Sequence, residues 1–100
     1  MSRIPLQTRL PKTCRILHIQ KETEDVQTFT FDVSLGALPG QFVMLWIPGV
    51  DEKPFSIAGD DGKSLKVTFF AVGPMSTALS KMKVGELVGV RGPFGTNYEW

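Results

Sequence analysis

Leu65-Lys66-Val67-Thr68-Phe69-Phe70-Ala71-Val72 runs directly into Gly73-Pro74-Met75-Ser76-Thr77-Ala78-Leu79, and the change of period between these two runs decides the fold. In the first, Leu65, Val67, Phe69 and Ala71 alternate with Lys66, Thr68 and Phe70, the period-two pattern of a strand with one apolar face. In the second, Ala78, Leu79 and Met82 recur at helical spacing, and Ser76 or Thr77 can cap the first turn. Lys81 and Lys83 fall where cations suit a helix C-terminus, and Val84-Gly85 closes the segment. The spacing predicts one helix over 76–82, beginning near Ser76. Working outward, strands are predicted over 14–20, 27–33, 41–47, 54–59, 65–72 and 87–91. Phe29, Phe31 and Val33, for example, alternate with Thr28, Thr30 and Asp32. Pro39-Gly40 and Pro48-Gly49 bracket the third strand. Asp60-Asp61-Gly62-Lys63 predicts a tight hairpin, since Asp-Gly tolerates the positive φ that such turns need. Strands do not alternate with helices, which argues against a parallel doubly wound sheet. The expected fold is all-β: a six-stranded antiparallel Greek-key barrel with one short α-helix.

Composition narrows the function classes. One hundred residues with 42% hydrophobic content make one globular domain with its own core. Eleven basic and ten acidic residues give a net charge of +1, with no basic face for nucleic acid. No apolar run approaches the roughly 20 residues of a membrane span. The N-terminal MSRIPLQTRLPKT lacks the apolar core of a secretory signal, so a cytoplasmic location is expected. Cys14 is the sole cysteine, which excludes an intramolecular disulfide and a Cys-ligated cluster within these residues. It reads as a small half-buried strand residue, and the single His18 as a structural one. Residues 1–12 are polar with two prolines and are expected to be partly loose; 13–100 form the barrel domain. Tyr98 and Trp100 crowd the C-terminal end, which looks like a domain boundary in a longer polypeptide or a docking segment.

Two constellations carry chemistry. Lys53-Pro54-Phe55-Ser56 sets a cation, a ring and a hydroxyl side by side, with Lys53 and Phe55 on one strand face and Ser56 on the other. A lysine offers a point charge to a phosphate, a phenyl ring a stacking face, and a hydroxyl a hydrogen bond to a ring nitrogen. The competing structural reading makes Lys53 solvated, Phe55 core and Ser56 a turn residue. Gly73–Thr77 joins a strand end to a helix start, where N–H groups face an anion. Simple helix capping explains the same residues, and neither a P-loop nor a three-glycine dinucleotide fingerprint is present. Asp51-Glu52 and Asp60-Asp61 read as solvated turn residues.

The order of these motifs is more specific than any one of them. PGQFVMLWIPG, KPFSIAG, VTFFAVGPMSTAL and KVGELVGVRGPFG follow each other between Cys14 and Gly95. The series resembles the flavin-binding domain of the ferredoxin–NADP reductase superfamily, most closely the electron transfer subunits of dihydroorotate dehydrogenase. That resemblance implies a barrel with FAD, rather than FMN, across its mouth. It implies that Lys53 contacts phosphate, Phe55 lies against the flavin and Ser56 approaches the hydride-accepting nitrogen, with Pro54 among the cofactor-binding residues. Phe69, Phe70 and Ala71 would line the ribityl and ring side, and Gly73, Met75, Ser76 and Thr77 the pyrophosphate loop. No side chain need act as a general base, so no catalytic residue is assigned, and none as a metal ligand. The family signature carries Arg where this chain has Lys53, so a bidentate phosphate grip is lost. In the family, an NAD-binding domain and, in the dihydroorotate enzyme, an iron–sulfur segment follow the barrel. Without them the barrel is expected to be inactive alone. The implied partner is the catalytic subunit of dihydroorotate dehydrogenase in pyrimidine biosynthesis, and self-association is expected where the second domain is missing. A sulfide- or NAD-linked ferredoxin oxidoreductase, or a non-catalytic assembly barrel, are the alternatives.

Overall fold

The structure, a computed structural model, describes residues 12–38 and 40–95. The expectations for residues 1–11 and for Tyr98 and Trp100 lie outside the described residues. Six strands and one helix follow in chain order: β1 (Lys12–Lys21), β2 (Val26–Phe31), β3 (Phe42–Ile47), β4 (Asp51–Asp60), β5 (Leu65–Phe70), α1 (Pro74–Ser80) and β6 (Leu87–Phe94). The strands close a barrel in the order β1-β2-β5-β4-β3-β6, every pair antiparallel. Consecutive β3, β4 and β5 are joined by short turns, and β6 returns to lie beside β3, which is a Greek key. No helix among the described residues is long and apolar enough to cross a membrane.

Alternation places the core. Phe29 and Phe31 of β2, Val43 and Leu45 of β3, Leu65, Val67 and Phe69 of β5, and Val88 and Val90 of β6 point inward and are buried. Leu79 of α1 plugs one end of the barrel with no exposed surface. Each such side chain contributes about 1.5–3 kcal/mol relative to staying in water. Truncating fully buried Phe29 to alanine therefore costs about 3–5 kcal/mol once the cavity is included. In β1 the inward set is Cys14, Ile16 and then Ile19, because the register with β2 slips between Ile16 and His18. That bulge turns His18 out to solvent. Burial raises the pKa of the Cys14 thiol, with nearby Lys12 lowering it and Asp32 raising it by smaller amounts.

Four boundaries around the helix and the last strands differ from the sequence expectation. The helix starts at Pro74 rather than near Ser76, with Gly73 as its N-cap. Proline suits the first helical position because its missing N–H has no partner there anyway. Strand β5 stops at Phe70, so Ala71 leaves the sheet and is exposed instead of continuing the inward set. Strand β4 begins at Asp51, inside the expected turn, and β6 runs through the expected turn to Phe94.

Two devices hold the barrel's connections. The Asp60 carboxylate accepts hydrogen bonds from Ser34 Oγ (2.8 Å), Leu35 N–H (2.8 Å), Ala37 N–H (3.2 Å) and Gly62 N–H (3.0 Å). It therefore ties the β2–β3 loop to the β4–β5 turn. Desolvation pulls its pKa up, but the four hydrogen bonds outweigh that and hold it at about 2. Only Asp61 behaves as a plain turn residue, its carboxylate accepting from Lys63 and Ser64 N–H at 2.8 Å each. On the outer face, Trp46 lies flat over Gly89. A Cβ at Gly89 would stand 2.6 Å from Trp46 Cε3.

Candidate functional site

Strand β4 changes neighbours halfway along its length. Residues Asp51 to Ser56 pair with β3, whereas the ladder to β5 begins only at Ile57. The first half of β4 thus has no strand on its β5 side, and Pro54 sits there, where an N–H is not needed for pairing. The sheet parts at this point, and the segment after β5 crosses the gap before turning into α1. A groove of about 370 Å³ results, lined by β4 residues Lys53–Ser56, by Phe69 and Phe70, and by the Val72–Ser76 crossing.

Register fixes what each β4 side chain can do. Lys53 stands opposite Leu45 and Phe55 opposite Val43, both buried core residues, so Lys53 and Phe55 share the inner face. Pro54 stands opposite Met44 and Ser56 opposite Phe42, on the outer face. The expected division of faces therefore holds. Phe55 meets Phe69 edge-on (centroids 5.8 Å apart, 86° between planes), and Phe69 meets Phe29 likewise at 5.1 Å. The groove wall is thereby continuous with the core, and such pairs contribute about 0.5–1.5 kcal/mol beyond area burial. A second, more open groove of about 610 Å³ adjoins the first on the outer face. Phe42, Met44, Pro54, Phe55 and Ser56 line it, so β4 forms a wall common to both. Phe94 stacks beside Phe42 at 5.7 Å, and Arg91 lies over the Phe94 ring at 5.6 Å.

Ser76 shapes the crossing segment. Its buried Oγ accepts the N–H groups of Val72 (2.9 Å) and Gly73 (3.0 Å) and lies 3.4 Å from the Gly73 carbonyl, to which it donates. This is the half of a capping box in which the third helical residue reaches back to the cap. The helical ladder begins with Thr77 N–H donating to the Gly73 carbonyl at 2.8 Å. Met75 and Ser76 precede it, so their N–H groups have no carbonyl within the helix to bond. The serine expected as an N-cap instead acts from inside the helix and folds the turn back on itself.

Charge around the groove is sparse. Lys53 is the one charged side chain lining it among the described residues, and its Nζ lies 3.6 Å from Asp51 Oδ2. Glu52, next along β4 and on the opposite face, binds Arg91 in a fork, with Nε–Oε2 at 2.7 Å and NH2–Oε1 at 3.0 Å. That hydrogen-bonded carboxylate raises the Arg91 pKa further above its ordinary value. Asp51 and Glu52 are thus strand residues with ion-pair partners, not the solvated turn pair expected from sequence.

Of the eleven residues expected at the site, nine line the groove: Lys53, Pro54, Phe55, Ser56, Phe69, Phe70, Gly73, Met75 and Ser76. Ala71 and Thr77 are exposed and not among the lining residues. Val72 and Pro74 complete the lining, and Phe42 and Met44 the outer groove; sequence reasoning missed all four. Phe42 and Met44 sit in a readable strand, but only the β3–β4 register sets them beside Ser56 and Pro54.

The structure thus combines a Greek-key barrel whose fourth strand parts from the fifth with an aromatic groove at the gap, lined by one charged side chain among the described residues. Residues 13–98 match the family model described as the oxidoreductase FAD-binding domain, and the chain belongs to that family. Its cofactor is FAD. Among curated proteins, the chain is 43% identical over 89 residues to a Methanocaldococcus jannaschii protein named "Probable dihydroorotate dehydrogenase B (NAD(+)), electron transfer subunit". It is 42% identical over 91 residues to the protein of the same name from Methanocella arvoryzae. Each alignment covers 89% of this chain but only 33% and 34% of the relative, so the chain spans about a third of their length. Among solved structures, a ferredoxin NADP+ reductase from Neisseria gonorrhoeae with bound FAD and NADP superposes with a TM-score of 0.75 at 21% identity, covering 86% of this chain and 39% of that one. The FAD/NAD-binding domain of a Vibrio cholerae nitric oxide dioxygenase gives 0.77 at 21%, covering 92% and 47%. At these identities the likeness is one of fold.

Proposed function

We propose that this chain is the flavin-binding part of a dihydroorotate dehydrogenase electron transfer subunit. In the whole protein, electrons would pass between the catalytic subunit and NAD. The partner is then the catalytic subunit, and the setting is cytoplasmic pyrimidine biosynthesis. The single observation that carries the reading is the pair of adjoining grooves meeting at Pro54, Phe55 and Ser56, with Lys53 and the first residues of α1 both in the lining.

The residues present fit FAD. Phe55 and Pro54 offer an apolar surface against which a planar ring can lie. Ser56 has an exposed hydroxyl that can donate to or accept from a ring nitrogen. Lys53 supplies the charge for a phosphate oxygen. The Met75 and Ser76 N–H groups supply neutral donors for a second phosphate, which a dinucleotide has and a mononucleotide lacks. Bound flavin supplies the redox chemistry, and the protein binds, orients and tunes it. Phe69 and Phe29 stiffen the wall from behind, so the groove needs little reorganisation to receive a ring.

Fluorescence titration with FAD and FMN tests the reading, using Lys53→Ala and, as a control, Lys66→Ala, which lies on the outer face of β5. FAD is expected to bind more tightly than FMN. Losing a charge-assisted hydrogen bond of about 1.5–3 kcal/mol should weaken FAD binding roughly tenfold or more in Lys53→Ala alone. Equal losses in the two variants, or FMN binding as tightly as FAD, would count against it.

A further inference from the structure

We propose that Asp51 is an affinity-setting residue of the groove: its carboxylate competes with a ligand phosphate for Lys53. The proposal rests on the flavin reading above. Asp51 is the first paired residue of β4 after the β3–β4 turn, standing opposite Ile47. One carboxylate oxygen, Oδ1, accepts the Glu52 N–H at 2.7 Å, which anchors the group. The other, Oδ2, faces Lys53 Nζ at 3.6 Å. Asp51 and Lys53 are two residues apart on a strand, hence on one side of it. The neighbouring Glu52 faces the other way and is engaged by Arg91, so it does not compete.

The contact is loose by design of its geometry. At 3.6 Å it is longer than the roughly 2.7–2.9 Å of a charge-assisted hydrogen bond. Both side chains are half exposed, at 58% and 50%. Such a pair is readily exchanged for a better partner, and a phosphate ester is one. A phosphate that engages Lys53 either draws it away from Asp51 or shares it with that second negative charge. A bare phosphate or pyrophosphate has only the helix-start N–H groups to offset that loss. A ligand that also covers the Phe55 and Phe70 surface has more. Asp51 thus lowers the affinity of this singly charged site for any phosphate, and only a ligand that also covers the aromatic surface keeps useful affinity.

The test is a titration of the unaltered chain, Asp51→Asn, Lys53→Met and the double variant with FAD, riboflavin and inorganic pyrophosphate. Asp51→Asn should tighten FAD and pyrophosphate about two- to fivefold, the range an exposed ion pair spans. Riboflavin, which has no phosphate, should be unchanged, and the gain should vanish in the Lys53→Met background. A loss of FAD affinity in Asp51→Asn would mean that Asp51 positions Lys53 instead, and would overturn the proposal. So would no change, or an equal gain without Lys53. If Lys53→Met itself leaves FAD binding unaltered, or if FAD does not bind at all, the flavin reading falls as well. If Lys53→Met weakens FAD while Asp51→Asn does nothing, only the role of Asp51 falls.

Discussion

Replacing Ser76 with alanine should loosen the groove without disturbing the barrel, and the two effects can be read separately. Ser76 Oγ takes up two backbone N–H groups, those of Val72 and Gly73, at 2.9 and 3.0 Å. Alanine leaves both donors without that acceptor at the edge of a groove that water can enter. Full burial of an unsatisfied donor costs about 1–3 kcal/mol, but water access reduces this, and loss of a cap costs about 1 kcal/mol. We therefore expect Ser76→Ala to destabilise the chain by about 1–2 kcal/mol. Thr77→Ala, one residue on and exposed, should change stability by less than about 0.5 kcal/mol. Urea denaturation measures both. Amide exchange separates local from global loss: Val72 and Gly73 should exchange faster in Ser76→Ala, while Val67 and Val90 of the core strands follow only the global stability. FAD affinity should fall with the loosened crossing. If Ser76→Ala and Thr77→Ala were equally mild, or if Val72 and Gly73 exchange were unaltered, the hydroxyl would not be what folds this turn.

Two further outcomes test the frame of the site. Gly89→Ala should destabilise by about 1–3 kcal/mol, because the new Cβ drives into Trp46 Cε3; with Trp46→Ala in place, the same change should become neutral or stabilising, as a Gly-to-Ala change in compatible backbone tends to be. A cost that persists without Trp46 would refute the steric explanation. For Asp60, the folded pKa of about 2 lies below the unfolded value, so its contribution is fully present above about pH 4 and lost as pH falls towards 2. Allowing for solvent screening of this partly buried group, about 1 kcal/mol is at stake, and Asp60→Asn should flatten the urea midpoint between those pH values. An unchanged acid limb would show that Asp60 does not tie the β2–β3 loop.

Periodicity and punctuation in the chain determined the inventory of elements. The alternation around Phe29, Leu65 and Phe69 is a direct consequence of a pleated strand with one dry face, and it survives without any knowledge of neighbours. The residue types at Lys53, Phe55 and Ser56 likewise announced cation, ring and hydroxyl, and the two-residue repeat assigned their faces. Strand ends were less legible. Asp51 and Glu52 read as turn residues because local propensity favours them there, whereas pairing with Ile47 and Trp46 of β3 places them in β4. Gly73 takes the capping position expected of Ser76 or Thr77, because the Ser76 side chain reaches back to the cap from inside the helix, a contact that composition does not encode. Only the tertiary structure decided that β4 leaves β5 at Ile57, and that separation is what creates the groove. Non-local pairing has no period in the sequence. The adjacency of Phe42 to Ser56, of Trp46 to Gly89 and of Asp60 to the 34–37 loop comes from barrel closure, where residues far apart in the chain are brought within hydrogen-bond or van der Waals reach.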